Sequence, residues 1–81
     1  MLQLFYYDSC PFCQDVMEVL EDLNIKVEML NILSNREHLN RLVQDTGRRT
    51  VPCLYIDNKP MFESRDINRW LQTNKDQLPK N

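Results

Sequence analysis

Long apolar runs, surplus basic charge and glycine are all scarce in this chain of 81 residues. No apolar stretch approaches the roughly 20 residues that a membrane-spanning helix needs, so no span is expected. Lys and Arg number 10 against 12 Asp and Glu, a net charge of −2. A nucleic-acid partner asks for a basic surface, and this balance argues against one. The opening Met1-Leu2-Gln3-Leu4-Phe5-Tyr6-Tyr7 has no basic lead and meets Asp8 at once, which is not the pattern of a secretory signal peptide. Three cysteines are an odd number and a poor disulfide framework. The expectation is a reducing, cytoplasmic setting, where a close cysteine pair is more often catalytic or metal-binding than structural. The length suits one domain rather than two, and a monomer is expected. There is no internal repeat and no low-complexity segment.

What is present is ordinary for a globular domain: 42% apolar and 27% charged residues, too apolar for disorder. Charge is unevenly spread. Asp8, Asp15, Glu18, Glu21 and Asp22 fall in a stretch without Lys or Arg, while Arg36, Arg41, Arg48 and Arg49 cluster later. Both stretches read as solvated helix faces. Leu2 to Tyr7 reads as a buried strand that Asp8-Ser9 breaks. Pro11 suits a first helical turn, and Cys13, Val16, Met17, Leu20 and Leu23 then follow helical spacing up to Asn24. Ile25 to Ile32 alternates as a second strand. Ser34 to Glu37 fits a capping box with Ser34 as N-cap. Leu39, Leu42 and Val43 form one apolar stripe on the helix that follows, and Gly47 suits its C-cap. Thr50 to Ile56 reads as a third strand and Asp57-Asn58 as a turn. Lys59 to Phe62 reads as an edge strand, because Pro60 is hard to place centrally. Ser64 then caps a last helix with Ile67, Trp70 and Leu71 inward, and residues 73–81 read as a polar, frayed tail. The order β-α-β-α-β-β-α, with a right-handed parallel crossover between the first two strands, is a minimal thioredoxin-like layout. It is an α/β fold with a four-stranded mixed sheet and helices on both faces.

Cys10-Pro11-Phe12-Cys13 carries the chemistry. A thiol acts as a nucleophile only as thiolate, and free N–H groups and the helix dipole at a helix start stabilise such an anion. Cys10 sits at that start with Pro11 fixing the backbone behind it. Cys13 lies one turn further in, close enough to attack a mixed disulfide held on Cys10. Cys10 is therefore the attacking thiol and Cys13 the resolving thiol or a buried partner. The competing reading is half of a zinc site. Structural zinc needs four ligands, and Cys53 and His38 do not form a second spaced pair, so no metal is expected. Cys53 by itself reads as a small buried apolar residue.

Three segments together resemble a glutaredoxin over residues 1–72. They are Cys10-Pro11-Phe12-Cys13, Gly47-Arg48-Arg49-Thr50-Val51-Pro52, and the Leu54-Tyr55-Ile56-Asp57-Asn58-Lys59 hairpin. The resemblance implies that Pro52 is cis and faces the cysteine pair, and that glutathione is the co-substrate. Two positions depart from the family pattern. Tyr7 stands where many members carry a Lys for the glycine carboxylate of glutathione. Phe62-Glu63-Ser64-Arg65-Asp66 stands where most carry Gly-Gly, a small polar residue and Asp for the γ-glutamyl end. That second segment resembles the Glu-Ser motif of glutathione transferases, with Ser64 for a carboxylate and Glu63 for an ammonium. By this resemblance the glutathione site comprises Tyr7, Phe12, Arg48 or Arg49, Thr50, Val51, Glu63 and Ser64. Val51 offers backbone hydrogen bonds to the cysteinyl part. Either arginine replaces the missing Lys, since a guanidinium binds carboxylate bidentately.

The leading function is a glutathione-dependent dithiol oxidoreductase acting on protein disulfides or glutathionylated proteins. Three other readings compete. A redoxin served by thioredoxin reductase keeps the chemistry and changes the reductant, and Tyr7 favours it mildly. An iron–sulfur carrier would use Cys10 and bound glutathione as ligands between two subunits, which Pro11 disfavours. A glutathione transferase would need a second helical domain, for which this chain has no residues.

Overall fold

A computed structural model describes residues 1–81. Its elements are β1 (Leu2–Tyr6), α1 (Pro11–Asp22), β2 (Glu28–Asn31), α2 (Arg36–Thr46), β3 (Cys53–Ile56), β4 (Lys59–Met61) and α3 (Ser64–Asn74), followed by a 3₁₀ turn at Lys75–Gln77. The sheet order is β2-β1-β3-β4. β1 and β2 are parallel, Leu4 opposite Met29; β1 and β3 are antiparallel, Leu4 opposite Leu54; β3 and β4 form a hairpin. This is the thioredoxin-like α/β arrangement that the element order implies.

The two-residue period of a strand divides the core between the two faces of the sheet. Leu2 and Leu4 of β1 and Leu54 of β3 meet Val16 and Leu20 of α1 and Ile67 and Leu71 of α3 on one face. Phe5, Cys53 and Tyr55 turn to the other face and pack with Leu30, Ile32 and Leu42. Each fully buried Leu or Ile contributes about 1.5–3 kcal/mol. The lone helix α2 is tied to its face by a polar clamp as well as by Leu42. Arg41 lies 4.8 Å from the Tyr55 ring centre and donates to Gln3 Oε1 at 2.9 Å, and the Tyr55 hydroxyl donates to Asp45 Oδ2 at 2.8 Å. This clamp sets where the α2–β3 loop, residues 47–52, emerges.

The turn residues behave as their chemistry requires. Gly47 ends α2 at φ 75°, and Asp57 and Asn58 make the β3–β4 turn at φ 49° and 71°. Several boundaries differ from the sequence reading. The N-cap of α2 is Asn35, whose Oδ1 accepts from Glu37 N–H at 2.9 Å. Ser34 is drawn instead into a turn organised by Asn31, whose Oδ1 accepts from the N–H groups of Leu33 and Ser34. Val43 is exposed, so the stripe of α2 narrows to Leu42 with Leu39 half-buried. Trp70 is half-buried at the edge of its cluster. β2 starts at Glu28 because residues 24–26 pair with the far end of the chain: Ile25 bridges Lys80, and Lys26 N–H donates to Pro79 O at 2.8 Å. Residues 73–81 are therefore docked. Asn74 completes α3, Lys75–Gln77 form a turn, and Asn81 N–H bonds Asn24 O at 3.1 Å. β3 starts at Cys53, past Pro52, which has no N–H to give a ladder.

Candidate active site

β1 delivers the chain to a tight turn before α1. Cys10 N–H donates to Tyr7 O at 3.2 Å, and the Gln14 side-chain amide donates to Asp8 O at 2.8 Å. Cys10 is then the N-cap of α1, extended at φ −81° and ψ 113°, with Pro11 in the first helical turn. Its Sγ accepts from Cys13 N–H at 3.3 Å. A sulfur thus occupies the place where a cap hydroxyl or carboxylate normally satisfies a first-turn donor. Gln14 N–H closes the first helical bond to Cys10 O at 3.0 Å.

Both thiols of the pair are buried. Cys13 is fully buried among the residues of α1, and burial, reinforced by its hydrogen bond with the Cys10 sulfur, pushes its thiol up to about 12. At neutral pH it stays protonated. Cys10 is 3% exposed, while the neighbouring Phe12 ring stands 63% exposed beside it. All three cysteines are free thiols. Cys53 lies at 0% exposure on the α2 face of the sheet, where burial likewise pushes it up to about 12.

A cleft of about 390 Å³ opens beside Phe12. One wall is the α2–β3 loop, which contributes Arg48, Thr50, Val51 and Pro52; the other is the start of α3, which contributes Glu63, Ser64 and Arg65. The Val51–Pro52 and Phe62–Glu63 peptides are both cis. The loop is held from below by Thr46. Its hydroxyl donates to Leu42 O at 2.7 Å and accepts from Arg48 N–H at 3.2 Å. The N-cap of α3 is Glu63 and not Ser64, and no side chain caps this helix. Ser64 is its first helical residue because Glu63 O already accepts from Ile67 N–H at 2.9 Å. The first turn of α3, whose Ser64 and Arg65 line the cleft, therefore has no side-chain acceptor for its N–H groups.

Most residues expected at the site meet here: Phe12, Arg48, Thr50, Val51, Pro52, Glu63 and Ser64. Five do not line it: Cys10, Pro11 and Cys13 lie at the start of α1 on either side of Phe12, Tyr7 packs half-buried against the Phe5 and Tyr55 cluster, and Arg49 is exposed outside the lining. Of the two arginines left open, Arg48 lines the cleft and Arg49 does not. The sequence reading missed Arg65, which lines the cleft, and Phe62, whose ring supports Arg48. Arg65 stands where the resemblance expects an Asp, and that reversal of charge was the available signal. No cluster of three or more His, Cys, Asp or Glu side chains is close enough to hold a metal ion. No helix is long and apolar enough to cross a membrane.

A β-α-β-α-β-β-α domain with a cysteine pair at the start of α1 and a proline before β3 defines a thioredoxin-like protein, and solved structures bear out that fold. An epsilon-class glutathione S-transferase from housefly superposes with a TM-score of 0.79 at 21% identity, covering 93% of this chain and 35% of the transferase. Residues 2–61 match the glutaredoxin family model. The rice protein named Glutaredoxin-C4, chloroplastic, is 37% identical over 59 residues, covering 69% of this chain and 44% of its own length. Chicken Glutaredoxin-1 is 29% identical over 79 residues, 94% of this chain and 74% of that one. This chain belongs to the glutaredoxin family, a family of thiol–disulfide oxidoreductases. It spans less than half the length of the rice relative and about a third of the transferase.

Proposed function

We propose that this chain is a glutathione-dependent dithiol oxidoreductase that reduces glutathionylated proteins and protein disulfides through Cys10 and Cys13. The observation that carries the reading is the charge of the cleft beside Phe12. Two guanidiniums, Arg48 and Arg65, and one carboxylate, Glu63, line it. Glutathione is the complement, with two carboxylates and one ammonium flanking a thiol. Glu63 would take the ammonium. Ser64 and the open first turn of α3 would take the neighbouring carboxylate, and the Val51 backbone would pair with the cysteinyl unit. The active unit in this reading is residues 1–72, acting as a monomer in the reducing cytoplasm, with residues 73–81 closing its lower edge.

The chemistry follows from the places of the two thiols, Cys10 at the cap of α1 and Cys13 in its first turn. Cys10 thiolate attacks the glutathionyl sulfur of a mixed disulfide. The Cys10–glutathione bond forms, the protein–sulfur bond breaks, and the protein leaves as thiolate. A second glutathione thiolate then attacks the bound glutathionyl sulfur, giving glutathione disulfide and returning Cys10. With a protein disulfide, Cys10 forms a mixed disulfide with one substrate sulfur and the other leaves. Cys13, once deprotonated, attacks Cys10 and releases the substrate as dithiol. Two glutathiones then reduce the Cys10–Cys13 bond. Burial raises the Cys13 thiol, so this second route needs its proton removed before the attack.

The test is reduction of a glutathionylated peptide coupled to glutathione and glutathione reductase. Cys10→Ser should lose about a thousandfold or more of the rate, the scale on which loss of a covalent nucleophile is felt. Retained activity in Cys10→Ser would overturn the assignment. Turnover with thioredoxin reductase but none with glutathione would overturn glutathione as the reductant.

A further inference from the structure

An exposed arginine normally samples many rotamers, and ordering it on binding a ligand costs affinity. Arg48 is exposed but not free. Its guanidinium carbon lies 4.0 Å from the centre of the Phe62 ring, and its own N–H is held by Thr46. Phe62 is in turn half-buried against the Phe5, Cys53 and Tyr55 cluster. The ring is therefore a fixed platform. A guanidinium lying over an aromatic face keeps its N–H edge, the part that forks onto a carboxylate, available in its own plane. Arg48 lines the cleft, and Phe62 directly precedes Glu63 at the opposite wall. By the resemblance most glutaredoxins carry a glycine in the place of Phe62, which offers no ring for such a stack.

We infer that Phe62 is a positioning residue that holds the Arg48 guanidinium ready for the glycine-end carboxylate of glutathione. The inference rests on the glutathione reading above. The assignment to the glycine end follows from what the α3 wall already offers. The ammonium and carboxylate of the γ-glutamyl end sit on one carbon, and Glu63, Ser64 and Arg65 stand together to receive both. Arg48, on the loop that leads into Val51, is the cation left for the second carboxylate.

The experiment is calorimetric binding of two unreactive ligands to the reduced protein. One is S-methylglutathione; the other is S-methyl-γ-glutamylcysteine, which lacks the glycine. Phe62→Leu should weaken S-methylglutathione about two- to fivefold, the scale of an exposed cation–π contact, and leave the shorter ligand unchanged. Phe62→Tyr, which keeps the ring, should bind both like the parent. In an Arg48→Gln background Phe62→Leu should have no further effect. The inference is overturned if Phe62→Leu weakens both ligands equally, weakens neither, or still acts when Arg48 is gone. If the unaltered protein binds neither ligand, the glutathione reading falls and takes this one with it. Binding of both ligands with no response at Phe62 removes the inference alone.

Discussion

Two helices bring their N-termini to the same cleft and treat them in opposite ways. α1 closes its first turn on a sulfur of its own chain, with Cys13 N–H bonded to Cys10 Sγ. α3 starts at Glu63 with no side-chain cap, so its first-turn donors have no side-chain partner. The same physical resource, unpaired N–H groups and the positive end of a helix dipole, is directed at the Cys10 sulfur in one case. In the other it is left open beside the cleft wall. α2, away from the cleft, shows the purely structural solution, with Asn35 Oδ1 on Glu37 N–H. On the proposed reading the contrast separates chemistry from recognition: α1 would carry the bond-making groups, and α3 with the Arg48 loop the groups that choose a partner.

The largest effect should come from splitting the α1 pair. Cys13→Ser removes intramolecular resolution. Reduction of a protein disulfide should fall on the order of a hundredfold or more, the scale of a lost intramolecular attack. Release of glutathione from a glutathionylated peptide should survive, because glutathione itself resolves Cys10. Intact mass after exposure to glutathione disulfide should show the adduct accumulating on Cys10. Equal loss of both activities in Cys13→Ser would mean that the two thiols are not divided as proposed.

The α3 wall should respond differently. On the proposed reading Glu63→Gln removes the charge offered to the ammonium, and the KM for glutathione should rise about five- to tenfold with kcat held, the weight of one charge-assisted hydrogen bond near solvent. The thermal midpoint should not move, because the Glu63 side chain caps nothing. Asn35→Ala is the mirror experiment, with a loss of about 1 kcal/mol of stability and no change in KM. A stability loss in Glu63→Gln without a KM change would erase the distinction between the two helix starts.

Much of the fold was legible because it is local or periodic. Leu2 and Leu4 against Phe5, Gly47 at a left-handed C-cap and Asp57-Asn58 at the hairpin each depend on a few neighbouring residues. Cys10-Pro11-Phe12-Cys13 was legible as a helix start for the same reason. What escaped depends on competition or on distant contacts. Ser34 and Asn35 are both good caps, and Asn31, from the preceding strand, decides between them by drawing in the Ser34 N–H. Ser64 and Glu63 pose the same ambiguity, settled by which carbonyl Ile67 reaches. The docking of residues 79–81 on residues 24–26 joins the two ends of a long loop of sequence. The stacking of Arg48 on Phe62 is likewise invisible to any window that sees one of them alone. Recognition by the cleft was harder to read than its chemistry because it is assembled from three separate elements.

The smallest effect concerns Cys53, which has the burial of Cys13 without its place at a helix start. Burial raises both thiols from the ordinary 9.0 to about 12, and it also raises Tyr55. Each of these groups holds its proton more tightly in the folded chain than in the unfolded one. Below pH 9 both forms of each thiol are protonated, and the contribution to stability is fully present. Between pH 9 and 12 the unfolded chain releases protons that the folded chain retains, so stability falls as pH rises, by at most about 1.4 kcal/mol per pH unit for each group. The thermal midpoint should be level from pH 7 to 8.5 and decline above 9. Cys53→Val, close in volume and without a proton to lose, should make that decline shallower and leave the midpoint at pH 7 and the glutathione-coupled rate nearly unchanged. A decline equally steep in Cys53→Val would show that the Cys53 thiol holds its proton no more tightly in the folded chain than in the unfolded one, and the decline would then belong to Cys13 and Tyr55.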